Sequence, residues 1–168
     1  MKIKGAAVAG VFALLWMAVI FSFSAQEKEE SSAVSEAFSY RVISSSRFFL
    51  RLDIDEEDLK QIAAAIEKGV RKAAHMTEFG ILSILFYLWL GGRQFRPVNR
   101  ALLSVFLAVL YAASDEIHQR FVPGRAGTLG DVMIDSTGAL LGVVILIGVK
   151  QCISFLWNRR RYRETKLL

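Results

Sequence analysis

The sequence predicts an all-α fold, an integral membrane bundle of four transmembrane helices with one or two amphipathic helices in the first outer loop. Three observations carry that prediction. Of the 168 residues, 54% are hydrophobic, and the mean hydropathy of +0.39 is high for a chain that folds in water. The apolar residues arrive in four blocks rather than as amphipathic stripes. The basic residues gather on alternate connectors between those blocks. A chain of this length makes one domain, residues 1–168.

The first block, GAAVAGVFALLWMAVIFSF (span about 5–23), alone approaches the roughly 20 residues needed to cross a hydrocarbon core. MKIK, this run and then FSFSAQ also fit a signal peptide cleaved after Ser24. The run is longer than a usual h-region, which favours a retained span. The next segment, outer residues 27–72, exceeds the ~12–15 residues of a structureless loop, so it carries structure. Within Asp55–Lys72, Leu59, Ile62, Ala63, Ile66 and Val70 recur at helical spacing behind an acidic first turn, DEED. The expected element is an amphipathic helix at the membrane surface, leading into span two with Gly69 as a hinge. A second helix is expected from Ser32 to about Ser44 with Val34, Phe38 and Val42 inward. Phe48, Phe49, Leu50 and Leu52, interleaved with arginines, read as an interfacial contact.

Span two (about 74–92) holds FGILSILFYLWL and span three (about 98–116) holds ALLSVFLAVLYAA. Both reach spanning length only if the polar flanks at His75 and Asp115 also sit at membrane depth. Span four (about 130–149) qualifies alone, and a basic tail, residues 150–168, comes after it.

The net charge is +5, and its distribution argues for a membrane rather than nucleic acid. The segment before span one, the connector between spans two and three, and the tail together hold eleven basic residues and one acid, Glu164. The rest of the chain, the other two connectors taken with the span ends that meet them, holds ten basic and fifteen acidic residues. The positive-inside rule then puts both termini in the cytoplasm and the net-acidic end of the bundle outside. The tail suits anionic headgroups. A lone cysteine, Cys152, excludes an intramolecular disulfide.

With this topology the polar residues of all four spans meet at the outer end. Span one ends in Ser24 and Gln26. Span two begins with Lys72, His75 and Glu78, i,i+3 neighbours on one face. Span three ends in Asp115, Glu116 and Gln119. Span four carries Asp131, Asp135, Gly138 and Gly142 along one stripe. Charge at membrane depth is costly unless paired or hydrated, which makes such groups candidates for function. Structural readings compete at several positions. Thr128 and Asp131 have capping-box spacing, and Gly138 with Gly142 fits helix packing. Val122-Pro123-Gly124-Arg125 reads as a type II turn, Glu116 and Arg120 as a surface pair, and His118 and Arg120 as solvated.

The candidate catalytic residues are His75, Glu78, Asp115, Glu116 and Asp135. The candidate binding residues are Lys72, Gln119, Arg125, Asp131, Ser24 and Gln26. Arg125 and Lys72 suit a phosphate, one as a bidentate fork and the other as a point charge. His75, oriented by Glu78 or Asp115, suits acid–base work. Asp115, Glu116 and Asp135 could share protons or bind a divalent cation; the metal version is weaker, because no motif such as HExxH is present. Gly127 and Gly130 would let backbone approach a ligand.

The stretch DEIHQRFVPGRAGTLGDVMIDSTGALLG, Asp115 to Gly142, resembles the signature of the VanZ family: DE, Q, F, PGR, a DV pair, and a helix continuing with glycines. The resemblance extends to WMAVIFSFSAQ, with Ser24 and Gln26, and to KAAHMTEFGIL, with Lys72, His75 and Glu78. It thins between Glu27 and Arg71. It departs from the pattern at Asp135, where asparagine is common. It implies a multi-pass protein of the bacterial cytoplasmic membrane, linked to resistance to the lipoglycopeptide teicoplanin, without implying a settled reaction. Three functions compete: an enzyme acting on a lipid headgroup or lipid-linked precursor at the outer leaflet, a protein that sequesters headgroup or antibiotic without chemistry, and a scaffold for other envelope proteins.

Overall fold

The computed structural model describes residues 3–51 and 54–165; Lys2, Leu52 and Lys166, which entered the sequence argument, lie outside them. All described secondary structure is helical. The order is α1 (Ile3–Ser24), α2 (Lys28–Leu50), α3 (Glu56–Trp89), α4 (Pro97–Gln119) and α5 (Leu129–Thr165), with a 3₁₀ turn, Leu90–Gly92, closing α3. Four of them, α1, α3, α4 and α5, are long and apolar enough to cross a membrane.

Their burial pattern is inverted relative to a water-soluble bundle. On α1 the small Ala6, Ala9 and Ala13 face inward, while Val11, Phe12, Leu14 and Leu15 are exposed. Leu102, Phe106 and Leu110 on α4, and Leu140, Leu141, Val144 and Ile145 on α5, are likewise exposed. Small residues let the helices approach closely, and large apolar ones suit lipid.

Asp55 caps α3 by accepting from the Asp58 N–H at 2.8 Å, and Glu56, Glu57 and Asp58 complement the dipole of its first turn. From there α3 runs unbroken to Trp89, about 50 Å at 1.5 Å per residue. Gly69 is therefore no hinge. A helical glycine costs only about 1 kcal/mol, and α2 packs along the N-terminal half of α3 and supports it.

The helix α2 also differs from expectation. It runs from Lys28 to Leu50, and Val34, Phe38 and Val42 point outward, 59%, 57% and 47% exposed. The face that meets α3 is polar. Ser39 is buried, Ser32 Oγ accepts from Arg71 Nη1 at 2.8 Å, and Tyr40 OH donates to the Glu56 carboxylate. Across from them α3 presents Leu59, Ala63 and Glu67, all buried. Short serines suit that close, partly polar seam better than branched apolar side chains. Of the expected interfacial cluster, the Phe49 side chain is exposed, whereas those of Phe48 and Leu50 lie outside the described residues.

The bundle core is formed by Ile20, Phe79, Leu82, Phe86, Ala108, Ala112 and Ala139. Helices α3 and α5 run parallel and pack backbone to backbone. A Cβ on Gly138 would collide with Met76 backbone, and one on Gly142 with Gly80 backbone. Ser83 Oγ donates to the Ala139 carbonyl at 2.7 Å along the same seam. Helix α1 is tied on by Trp16 Nε1, which donates to the Glu78 carbonyl at 2.9 Å, and by Tyr111 OH, which donates to the Met17 carbonyl at 2.6 Å. The glycine register also positions the polar end of α5. Asp135, one turn before Gly138, lies beside the turn of α3 that carries Lys72 and His75.

Candidate functional site

The α4–α5 connector is built by a sequence of specific contacts. Val122 to Arg125 closes the expected type II turn. The Arg125 N–H donates to the Val122 carbonyl at 3.2 Å, and Gly124 takes φ +73°, where a side chain would be strained. The chain then folds back on α4. Gly127 rests on the Glu116 carbonyl, so a Cβ there would collide with it. Arg120 Nε donates to the Gly127 carbonyl at 3.2 Å, and the Thr128 N–H donates to Glu116 Oε2 at 2.9 Å. Thr128 caps α5 in turn: its Oγ1 accepts from the Asp131 N–H at 3.2 Å and donates to Asp131 Oδ2 at 2.8 Å.

These contacts correct three expectations. Glu116 is no superficial partner of Arg120; it is buried and anchors the loop through Thr128. The close approach at Gly127 is to α4, not to a ligand, and a Cβ on Gly130 would meet only Thr128 Oγ1 at 3.5 Å. His118 is not simply solvated, since its ring lies 4.4 Å from that of Phe21.

Arg125 reaches back across the bundle. Its Nε donates to the Gln26 carbonyl at 2.8 Å and its Nη2 to the Phe23 carbonyl at 3.1 Å. The carbonyls at a helix C-terminus lack intrahelical partners, so this guanidinium caps α1 and fixes the α1–α2 corner. Gln26 contributes its main chain here. Burial, and then the neighbouring Arg71, lower the Arg125 pKa, while Asp115, Glu116 and Glu78 oppose the shift. A guanidinium stays charged through such a shift.

Between α3, α5 and this loop lies a polar cavity of about 240 Å³. It is lined by Arg71, Lys72 and His75 of α3, by Glu116 and Gln119 of α4, by Asp131 and Asp135 of α5, and by Lys28 and Arg125. Seven of the eleven candidates, Lys72, His75, Glu116, Gln119, Arg125, Asp131 and Asp135, are thus brought together. Glu78, Asp115, Ser24 and Gln26 are not among the lining residues. Asp115 Oδ2 accepts from Gln119 Nε2 at 2.9 Å, whereas Asp115 Oδ1, Asp135 Oδ2 and Ser24 Oγ are buried without a hydrogen-bond partner. Lys72 Nζ lies 3.4 Å from Asp131 Oδ1, a half-exposed pair.

Sequence reasoning missed Lys28 and Arg71. Arg71 had a signal, since it precedes His75 by four residues and shares its face. Lys28 had none, because the fold of the α1–α2 corner alone delivers it. Among the described residues, no group of three or more His, Cys, Asp or Glu is placed to hold a metal ion.

A family model described as VanZ/LLP1 matches residues 9–152, which takes in the whole site. No curated protein and no solved structure matches the chain.

Proposed function

The chain belongs to the VanZ/LLP1 family, and on that basis we propose that its polar cavity receives the phosphate-bearing headgroup of a membrane lipid or a lipid-linked cell-wall precursor. One observation carries the reading: four cations, Lys28, Arg71, Lys72 and Arg125, surround a single cavity beside His75. A volume of about 240 Å³ is below the ~300–1,000 Å³ of drug-sized pockets. It suits a headgroup whose acyl or prenyl chains stay in lipid. Lys72 and Lys28 act as point charges, and Arg71 offers a planar donor. The charge distribution supports both termini in the cytoplasm and a cavity at the outer face of a bacterial cytoplasmic membrane.

In the enzymatic form of this reading, His75 takes a proton from an attacking hydroxyl or gives one to a leaving oxygen, a role suited to imidazole near neutral pH. Asp135, buried in the same cavity, serves as the second proton-holding group. Glu116 anchors the loop instead of reacting.

A second reading, sequestration of a headgroup or of teicoplanin without chemistry, is favoured by one detail. Neither Glu78 nor Asp115, expected to orient His75 for acid–base work, is among the residues lining the cavity. Lipid and precursor mass spectrometry of cells with the protein, without it, and with His75→Ala separates the two. A headgroup change that vanishes in His75→Ala supports the enzyme. An unchanged profile in all three strains, with teicoplanin tolerance kept in His75→Ala, supports sequestration.

A further inference from the structure

We infer that the bundle carries a second binding site, at the end opposite the polar cavity, for the headgroup of an anionic phospholipid. Tyr87, near the end of α3, is buried, and two cations from two other helices lie against its ring. Arg100 of α4 sits with Cζ 4.0 Å from the centroid, and Lys150 of α5 with Nζ 4.9 Å from it. Arg100 also donates through Nη2 to Tyr87 OH, and its Nε is buried without a hydrogen-bond partner. Beside them a groove of about 420 Å³ runs between α3 and α5, lined by Tyr87, Lys150, Gln151, Ser154 and Asn158 among others.

Among the described residues, no acidic side chain pairs with these charges. From Phe79 to Ser114 and from Ser136 to Arg163 the chain contains no Asp or Glu. Among the described residues the ion pairs are Glu67–Arg71 and Lys72–Asp131, both at the other end. Two cations held against one ring repel each other, and an anion in the groove beside Lys150 offsets that repulsion. A phosphodiester supplies that charge, and Gln151, Ser154 and Asn158 supply neutral hydrogen-bonding groups for its oxygens and for a hydroxylated headgroup. Basic pockets between transmembrane helices are a known solution for anionic headgroups. The surroundings select a lipid over a soluble anion. Ile147 and Phe155 line the groove, and the exposed Val144 and Leu140, one and two turns earlier on the same helix face, continue it as an apolar surface, with Trp157 exposed further along α5. Acyl chains can lie on that surface, with the tryptophan at headgroup level.

Purified full-length protein in a neutral detergent is titrated with dioctanoyl phosphatidylglycerol and, separately, with dioctanoyl phosphatidylcholine, and bound lipid is read by native mass spectrometry. The anionic lipid should bind about tenfold or more tightly than the zwitterionic one. Lys150→Gln and Arg100→Gln should erase that preference, while Lys150→Arg keeps it. Lys150 is exposed, so its substitution tests the site even if Arg100→Gln fails to fold. Arg96→Gln, an exposed cation outside the groove, should leave the preference unchanged. Equal affinity for the two lipids overturns the inference. Equal weakening by Arg96→Gln and Lys150→Gln, or displacement of the lipid by millimolar inorganic phosphate, overturns it as well.

Discussion

Arg125 and Lys differ here in geometry more than in charge. The guanidinium makes two hydrogen bonds to α1 carbonyls from one rigid plane, and a single ammonium cannot reproduce that fork. Arg125→Lys should therefore lower stability by about 2 kcal/mol, given that hydrogen bonds to charged groups contribute about 1.5–3 kcal/mol. Arg120→Gln, which removes one bond to Gly127, should cost less than half as much. Thermal unfolding in detergent compares them; equal losses would mean that the α1 cap contributes little. A second prediction concerns the loop anchor. Glu116→Gln keeps an acceptor for the Thr128 N–H and should be tolerated, whereas Glu116→Ala leaves that donor unpaired at a cost of about 1–3 kcal/mol. Similar melting temperatures for the two variants would remove Glu116 from that role. At this scale much of the site was legible in the sequence: helical spacing alone put Lys72 with His75 and Asp131 with Asp135. The partner of Arg125 was not legible, because it lies 99 residues away in the chain and only tertiary structure brings it near.

Each apolar block falls on one helix, although α3 begins well before its block and α5 runs well past its own. The pattern leaves open which face turns inward. Val34, Phe38 and Val42 form a regular apolar stripe, yet they face out, because periodicity identifies a stripe without saying what covers it. Gly69 was open to two readings for a similar reason, since a glycine in a helical pattern can mark a hinge or nothing at all. Three glycines now make contrasting predictions. A Cβ on Gly69 meets nothing within 4 Å, so Gly69→Ala should stabilise the protein by up to about 1 kcal/mol. Gly142 faces Gly80 backbone, so Gly142→Val should overpack the α3–α5 seam and cost about 1–3 kcal/mol or more. Gly148 has open space and should accept valine without loss, since valine is no worse a helix former than glycine. Denaturation of the three variants in one detergent tests the seam. A destabilising Gly69→Ala that also abolished function would restore the hinge.

For the whole molecule, the charge asymmetry and the convergence of polar residues are two consequences of one topology. One end of the bundle is strongly basic, and the other, counted with the span ends that meet there, is net acidic; the polar ends of all four spans arrive together on that acidic side. Single cysteines replacing Glu30, Arg96 and Ala126, in a Cys152→Ser background, test this arrangement in intact cells. An impermeant thiol reagent should label positions 30 and 126 and should reach position 96 only after permeabilisation. Binding of a phosphate-bearing headgroup in the polar cavity is the proposal on which the functional reading rests. Calorimetric titration of the purified protein with a short-chain polyprenyl phosphate puts it to the test. Saturable binding is expected, with no binding of the neutral polyprenol. That binding should weaken about tenfold or more when Lys72 and Arg71 are both changed to Gln, each charge-assisted contact being worth roughly 1.5–3 kcal/mol. Equal affinity for the phosphate and the alcohol, or an unaltered affinity in the double variant, would contradict it.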